Sequence, residues 1–127
     1  MRLAPYLIVA LGSALGGALR HGVNVGSARV LGTGWPYGTF VVNVIGSLAI
    51  GAIAAYFALK GHASQAWLLF LTTGVLGGFT TFSAFSLDVV LLYERGRVGL
   101  AALYLAGSVG ASVAALVLGL AVIRRLL

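Results

Sequence analysis

Apolar positions in this chain neither alternate nor follow a single helical stripe; they fill four long runs, Leu3 to Leu19, Tyr37 to Leu59, Trp67 to Leu92 and Val98 to Ile123. About 20 residues at 1.5 Å each carry a helix across roughly 30 Å of hydrocarbon. Four helical spans over roughly 3–20, 37–59, 67–92 and 98–123 therefore nearly exhaust the chain and predict one all-α transmembrane domain. The alternating segments of about ten residues that mark a transmembrane barrel are absent. Arg2 before the first run resembles the start of a cleaved signal. Three further spans follow, however, and Gly12, Ser13, Gly16 and Gly17 read as a packing face.

Polar positions inside the runs are more informative. Gly77-Gly78-Phe79-Thr80-Thr81-Phe82-Ser83-Ala84-Phe85-Ser86 interrupts the third run at its centre. Adjacent glycines, threonines and nearby serines are poor helix interior. Hydrocarbon offers no water to loosened backbone, so a break at this depth is tolerable only around a site. In the second run Thr39, Asn43 and Ser47 recur every four residues and share a face that Gly51 continues. Interhelical hydrogen bonding explains Thr39 or Ser47 taken singly, at about 0.6–2 kcal/mol per contact. Asn43 carries two donors and an acceptor that all need partners, which favours a role in a pathway. Tyr104, Ser108 and Ser112 repeat the device in the fourth run. A lone serine there bonds back to its own helix; three hydroxyls on one face suit replacement hydration for something small. Phe82 and Phe85 share a face if the helix has resumed by then. Aromatic rings have a positive edge, so edge-on rings can contact an anion without a fixed charge.

Composition excludes most other chemistry. The chain has 127 residues, 61% hydrophobic and 8% charged, with mean hydropathy +1.09 and no cysteine. Thiolate sites and disulfides are thereby ruled out. The net charge of +6 is scattered singly at span ends rather than gathered into a stripe, so no nucleic-acid partner is expected. Asp88 and Glu94, the only acids, lie late in the third run, where a cation or proton pathway would want a carboxylate at mid-depth. Arg20 closes the stripe of Gly12 and Gly16; it either snorkels to the interface or draws anions into a vestibule. His21 and His62 sit at span ends without companion ligands. No triad, paired carboxylates or phosphate loop can be assembled, which leaves no enzyme.

Four spans place Arg2, Lys60, Arg124 and Arg125 on one side and Arg20, Arg29, Arg95 and Arg97 on the other. Lys/Arg excess sets orientation, and this four-against-four count selects none. Either Arg20 is inside the membrane and a weak bias survives, or the chain inserts both ways and pairs with an opposed copy. The second is favoured because four short helices rarely enclose a polar path alone. Gly12 with Gly16, and Ala106 with Gly110 and Ala114, are candidate association faces.

These motifs closely resemble the Fluc (CrcB-type) family of small bacterial fluoride channels. The resemblance rests on Gly16-Gly17-Ala18-Leu19-Arg20, on Gly38-Thr39-Phe40-Val41-Val42-Asn43-Val44-Ile45-Gly46, and on the segment from Gly77 to Ser86. It implies an antiparallel, dual-topology homodimer in the bacterial cytoplasmic (inner) membrane, with two fluoride pores. It places Asn43 near the inner end of a vestibule, Phe82 and Phe85 as edge-on contacts, and Tyr104, Ser108 and Ser112 along a polar track. It also implies a structural sodium ion held by the Gly77 and Thr80 carbonyls of both subunits. Ala84 and Asp88 depart from the usual hydroxyl and glutamate. The implied activity is a passive, fluoride-selective leak. Neutral hydrogen fluoride crosses membranes and dissociates inside, and the trapped anion then leaves down a potential of about 2.3 kcal/mol per charge per 100 mV. The alternative is a small multidrug-type exporter, also of dual topology, which would need a membrane-embedded carboxylate.

Overall fold

The computed structural model describes residues 2–61 and 64–127, so His62 lies outside the described residues. Four helical spans are long and apolar enough to cross a membrane: Ala4–Leu31, Tyr37–Lys60, Gln65–Glu94 and Val98–Leu126. The first, second and fourth are the continuous helices α1 (Ala4–Leu31), α2 (Tyr37–Lys60) and α6 (Val98–Leu126). The third is composite. It runs through α3 (Gln65–Leu69), a π-helical segment Phe70–Leu76, α4 (Gly77–Phe79) and α5 (Phe82–Glu94).

Helix α1 continues well past residue 20, where the apolar run ends. Its 28 residues reach about 42 Å, more than the hydrocarbon requires. Hydropathy marks only the segment in lipid, whereas backbone groups remain best satisfied as helix through the interface too. Arg20 therefore lies inside α1, one turn beyond Gly16, and not in a loop. Arg29, in the last turn of the same helix, and Arg95 and Arg97, at the turn between α5 and α6, keep their places at helix ends.

Two glycine-mediated contacts organise the subunit. Along α1, a side chain at Gly12 would come within 2.7 Å of the Phe70 carbonyl oxygen, and one at Gly16 would overlap the Val75 carbonyl. These glycines serve α1 against the third span of the same chain, which corrects their assignment to an association face. Likewise Gly51 rests on the Leu116 carbonyl and Gly119 on that of Leu48, which makes α2 and α6 the most extensive helix pair. Close backbone approach is how helices gain dispersion energy where lipid removes the hydrophobic drive. At most 22% of any span's apolar window is buried in the subunit, which leaves broad apolar faces outward. Ala106, Gly110 and Ala114 lie on one such face of α6.

The interruption of the third span is narrower than its composition suggests. Gly77 is helical, at φ −63° and ψ −38°. Gly78 is a packing glycine whose added Cβ would sit 3.0 Å from Ser13 Cα and 3.1 Å from Gly17 N. Only Thr80 (φ −87°, ψ 159°) and Thr81 (φ −155°, ψ 123°) are extended. The helix then resumes at Phe82. Both turns at the far end from the termini close on glycines of positive φ, Gly32 at 82° and Gly96 at 79°, where a side chain would be strained.

Candidate functional site

Thr80 and Thr81 open onto a groove of about 310 Å³ between α2, α5 and α6. Helix α2 contributes Asn43 and Ser47, α5 contributes Phe82 and Phe85, and α6 contributes Ser108 and Ser112. Positions on three helices, 23 residues and more apart from one helix to the next, thus meet where the third span is broken. The wall is polar on α2 and at the break, aromatic on α5, and made of two serines and two valines, Val109 and Val113, on α6.

Hydrogen bonding divides the hydroxyls into two groups. Most of those of the third span are engaged locally: Thr72 donates to the Leu68 carbonyl at 2.7 Å, Thr80 to that of Leu76 at 2.8 Å, and Ser86 to that of Phe82 at 2.9 Å. The Thr81 hydroxyl caps α5 by accepting from Ala84 N–H at 3.1 Å and lies 3.3 Å from Ser83 Oγ. The two serines of α6 differ from these. Ser108 Oγ and Ser112 Oγ are buried with no hydrogen-bond partner, so neither bonds back to its own helix. Such a group costs about 1–3 kcal/mol when left unsatisfied, and it sits on the groove wall.

Asn43 has a different task. Its Oδ1 accepts from Thr81 N–H at 2.9 Å, and its Nδ2 donates to the Thr81 carbonyl at 3.1 Å. In an unbroken helix that N–H would have gone to Gly77, so the Gly77 carbonyl loses its helical donor. The first N–H groups of α5, those of Phe82 and Ser83, start a new helix and have no carbonyl of that helix behind them. Donors of the α5 N-terminus and released carbonyls of α4 lie on either side of the break.

Phe82 and Phe85 both line the groove with centroids 5.6 Å apart, yet they are unlike. Phe82 is 77% exposed on the subunit and Phe85 only 4%. Tyr104 lines neither this groove nor the next. It is fully buried, with its ring 5.0 Å from Phe85 and edge-on to Trp35, and it donates to Asp88 Oδ2 at 3.0 Å. Beyond it lies a second groove of about 380 Å³, which takes in Thr39, Ala84, Asp88, Arg95 and Trp35. The α2 stripe is therefore divided, with Asn43 and Ser47 in the first groove and Thr39 in the second. Arg20, half-buried, borders neither. Gly77 lies in α4 just before the break, and Thr80, within it, reaches the first groove. Sequence reasoning missed the π-helical segment Phe70–Leu76, whose signal was Thr72-Thr73-Gly74 within the apolar run. It also left Ser47 and Thr81 out of the site.

Taken together, these features define a small polytopic α-helical membrane protein with an interrupted span and, at the interruption, an uncharged groove that mixes polar and apolar side chains. The chain belongs to the family described as CrcB-like protein, Camphor Resistance (CrcB), whose model matches residues 7–120. It is 61% identical over 121 residues to a fluoride-specific ion channel FluC of Rhodopseudomonas palustris (strain BisB5), covering 95% of this chain and 98% of that protein. A second protein of that name, from Nitrobacter hamburgensis, is 58% identical over 121 residues, 95% of this chain and 98% of its own length. A third, from Methylobacterium nodulans, is 57% identical over 119 residues, 94% and 95% of the two chains. The exporter alternative gains nothing from these relatives or from Asp88, whose carboxylate is engaged by Tyr104.

Proposed function

We propose that the chain forms a passive fluoride-selective channel whose path follows the groove at the break. The observation that carries this reading is the pair of buried Ser108 and Ser112 hydroxyls without partners. A small anion leaving water for a low-dielectric interior needs donors in place of its hydration shell. Two hydroxyls, the remaining N–H of Asn43, and ring edges of Phe82 and Phe85 supply partial positive charge with no fixed cation to trap the ion. Fixed charge would hold fluoride too long for conduction, which requires sites that release as well as bind.

A single subunit leaves this groove open on one side and Phe82 largely uncovered. The assembly that closes it is a homodimer of opposed copies, supported by the near-even basic count and by the outward stripe of Ala106, Gly110 and Ala114. Two grooves then give two paths. Insertion is into the bacterial cytoplasmic membrane, where the negative-inside potential drives fluoride out. A sodium ion fits the break: neutral carbonyl oxygens suit a hard cation, and Asn43 has taken the donor that Gly77 would otherwise have. Gly77 and Thr80 of each copy would hold it, and when bound it supplies a positive centre that ties the two broken spans together.

Fluoride efflux from liposomes, with chloride as the comparison, tests the activity. Rapid fluoride release with chloride retained is expected, and equal release of both ions or of neither overturns the reading. Adding two lysines at the Lys60 turn should bias insertion and abolish function, and co-expression with an oppositely biased variant should restore it. Failure of that rescue excludes opposed copies.

A further inference from the structure

The break is not specified by the third span alone. We infer that α2 positions it, through Asn43 and Gly46 acting as a two-point latch, with both residues setting the backbone that the path and the carbonyl site depend on. Asn43 replaces the hydrogen bond that an uninterrupted helix would make, since its Oδ1 and one N–H of Nδ2 both go to the Thr81 peptide, at 2.9 and 3.1 Å. Gly46, one turn along the same face, provides the second point. A Cβ there would overlap Cγ2 of Thr80, while its next neighbours, Phe79 Cδ2 at 3.5 Å and Thr80 Cβ at 3.7 Å, are ordinary contacts.

The two points act on consecutive residues and in complementary ways. The Thr80 methyl is seated against α2 while its N–H and hydroxyl both go to the Leu76 carbonyl, at 2.9 and 2.8 Å. That arrangement ends the preceding helix. Thr81 is then held extended by Asn43, and its hydroxyl starts α5. Threonine suits position 80 because the latch uses both its methyl and its hydroxyl. Serine would keep the hydroxyl and lose the seat. Asn43 and Gly46 are thus positioning residues: they set where the path's backbone lies.

This inference rests on the channel reading for its flux measurement but not for its structural one. Gly46→Ala is made alone and with Thr80→Ser, and each variant is read by fluoride efflux and by amide hydrogen exchange between Gly78 and Ser86. Overpacking against the seated Thr80 methyl costs about 1–3 kcal/mol, so efflux should fall about tenfold and exchange at Thr81 should quicken by a similar factor. In the double variant the methyl is gone, and both readings should return to the level of Thr80→Ser alone. Unchanged exchange in Gly46→Ala, or a double variant no better than Gly46→Ala, overturns the latch. Asn43→Ala adds no bulk and serves if Gly46→Ala does not fold. Exchange at Thr81 should quicken in it as well, and unchanged exchange again overturns the inference. If the wild-type protein carries no fluoride, the channel reading fails while the exchange data still decide whether α2 positions the break.

Discussion

Helix α6 and the third span are both apolar elements sown with hydroxyls, and they use them in opposite ways. The third span is broken, and Thr72, Thr80, Thr81, Ser83 and Ser86 are all occupied within it. Helix α6 is continuous, and its Ser108 and Ser112 are buried without partners. A span that gives up backbone hydrogen bonds must recover them from side chains, its own or a neighbour's such as Asn43, because hydrocarbon supplies none. A span with an intact ladder can leave its hydroxyls free, and only free hydroxyls can serve a passenger. One groove thus joins a fixed, bent backbone to two buried serine hydroxyls that have no partner.

The largest effect should come from the uncommitted side. Replacing both Ser108 and Ser112 with alanine removes two donors at about 1.5 kcal/mol or more each toward an anion, so fluoride efflux should fall about a hundredfold. Stability should hold or rise, since the lost groups were unsatisfied. Thermal unfolding in detergent alongside liposome efflux checks the pair of outcomes. A destabilised variant with normal flux would reverse the roles assigned to α6.

The committed side should respond the other way. Thr81→Ala removes the cap on Ala84 N–H, and loss of such a cap typically costs about 1 kcal/mol of stability. Asn43 still grips the Thr81 peptide through backbone atoms, so the path survives. A lower melting temperature with efflux reduced only about threefold is expected, smaller than the α6 double variant by a wide margin. If Thr81→Ala matched the serine double variant in flux while keeping its stability, the division between the two spans would be lost.

The sequence carried the four spans and the position of the break, because hydrocarbon imposes length and apolarity one residue at a time. It carried the i, i+4 stripes for the same reason: helical periodicity is local. It did not carry where those stripes divide. Thr39 and Asn43 share a face of α2 yet open on different grooves, whose other lining residues come from elements distant in the chain. Nor did it carry the roles of the glycines. Gly77 and Gly78 look like the break, but Gly78 is there for Ser13 and Gly17, and two threonines make the interruption. Helix α1 outran its apolar run because helix and hydrophobic span have different ends. The latch between Asn43 and Thr81 joins residues 38 apart and left no periodic signal.

The smallest expected effect sharpens the same comparison at Ala84, where the resemblance favours a hydroxyl. Its side chain borders the second groove beside Asp88, and its N–H is already capped by Thr81. A serine there would add a hydroxyl to α5 on the side of the committed residues, four positions before Asp88 and within reach of the preceding turn. It would therefore be absorbed locally rather than join Ser108 and Ser112. Ala84→Ser should change fluoride efflux by less than about twofold, as expected of a substitution that makes no cavity and breaks no hydrogen bond. An increase of about fivefold or more would mean that the second groove is continuous with the first during conduction. Uncommitted donors would then line both sides of Tyr104, and the contrast between the two spans would hold for the first groove only.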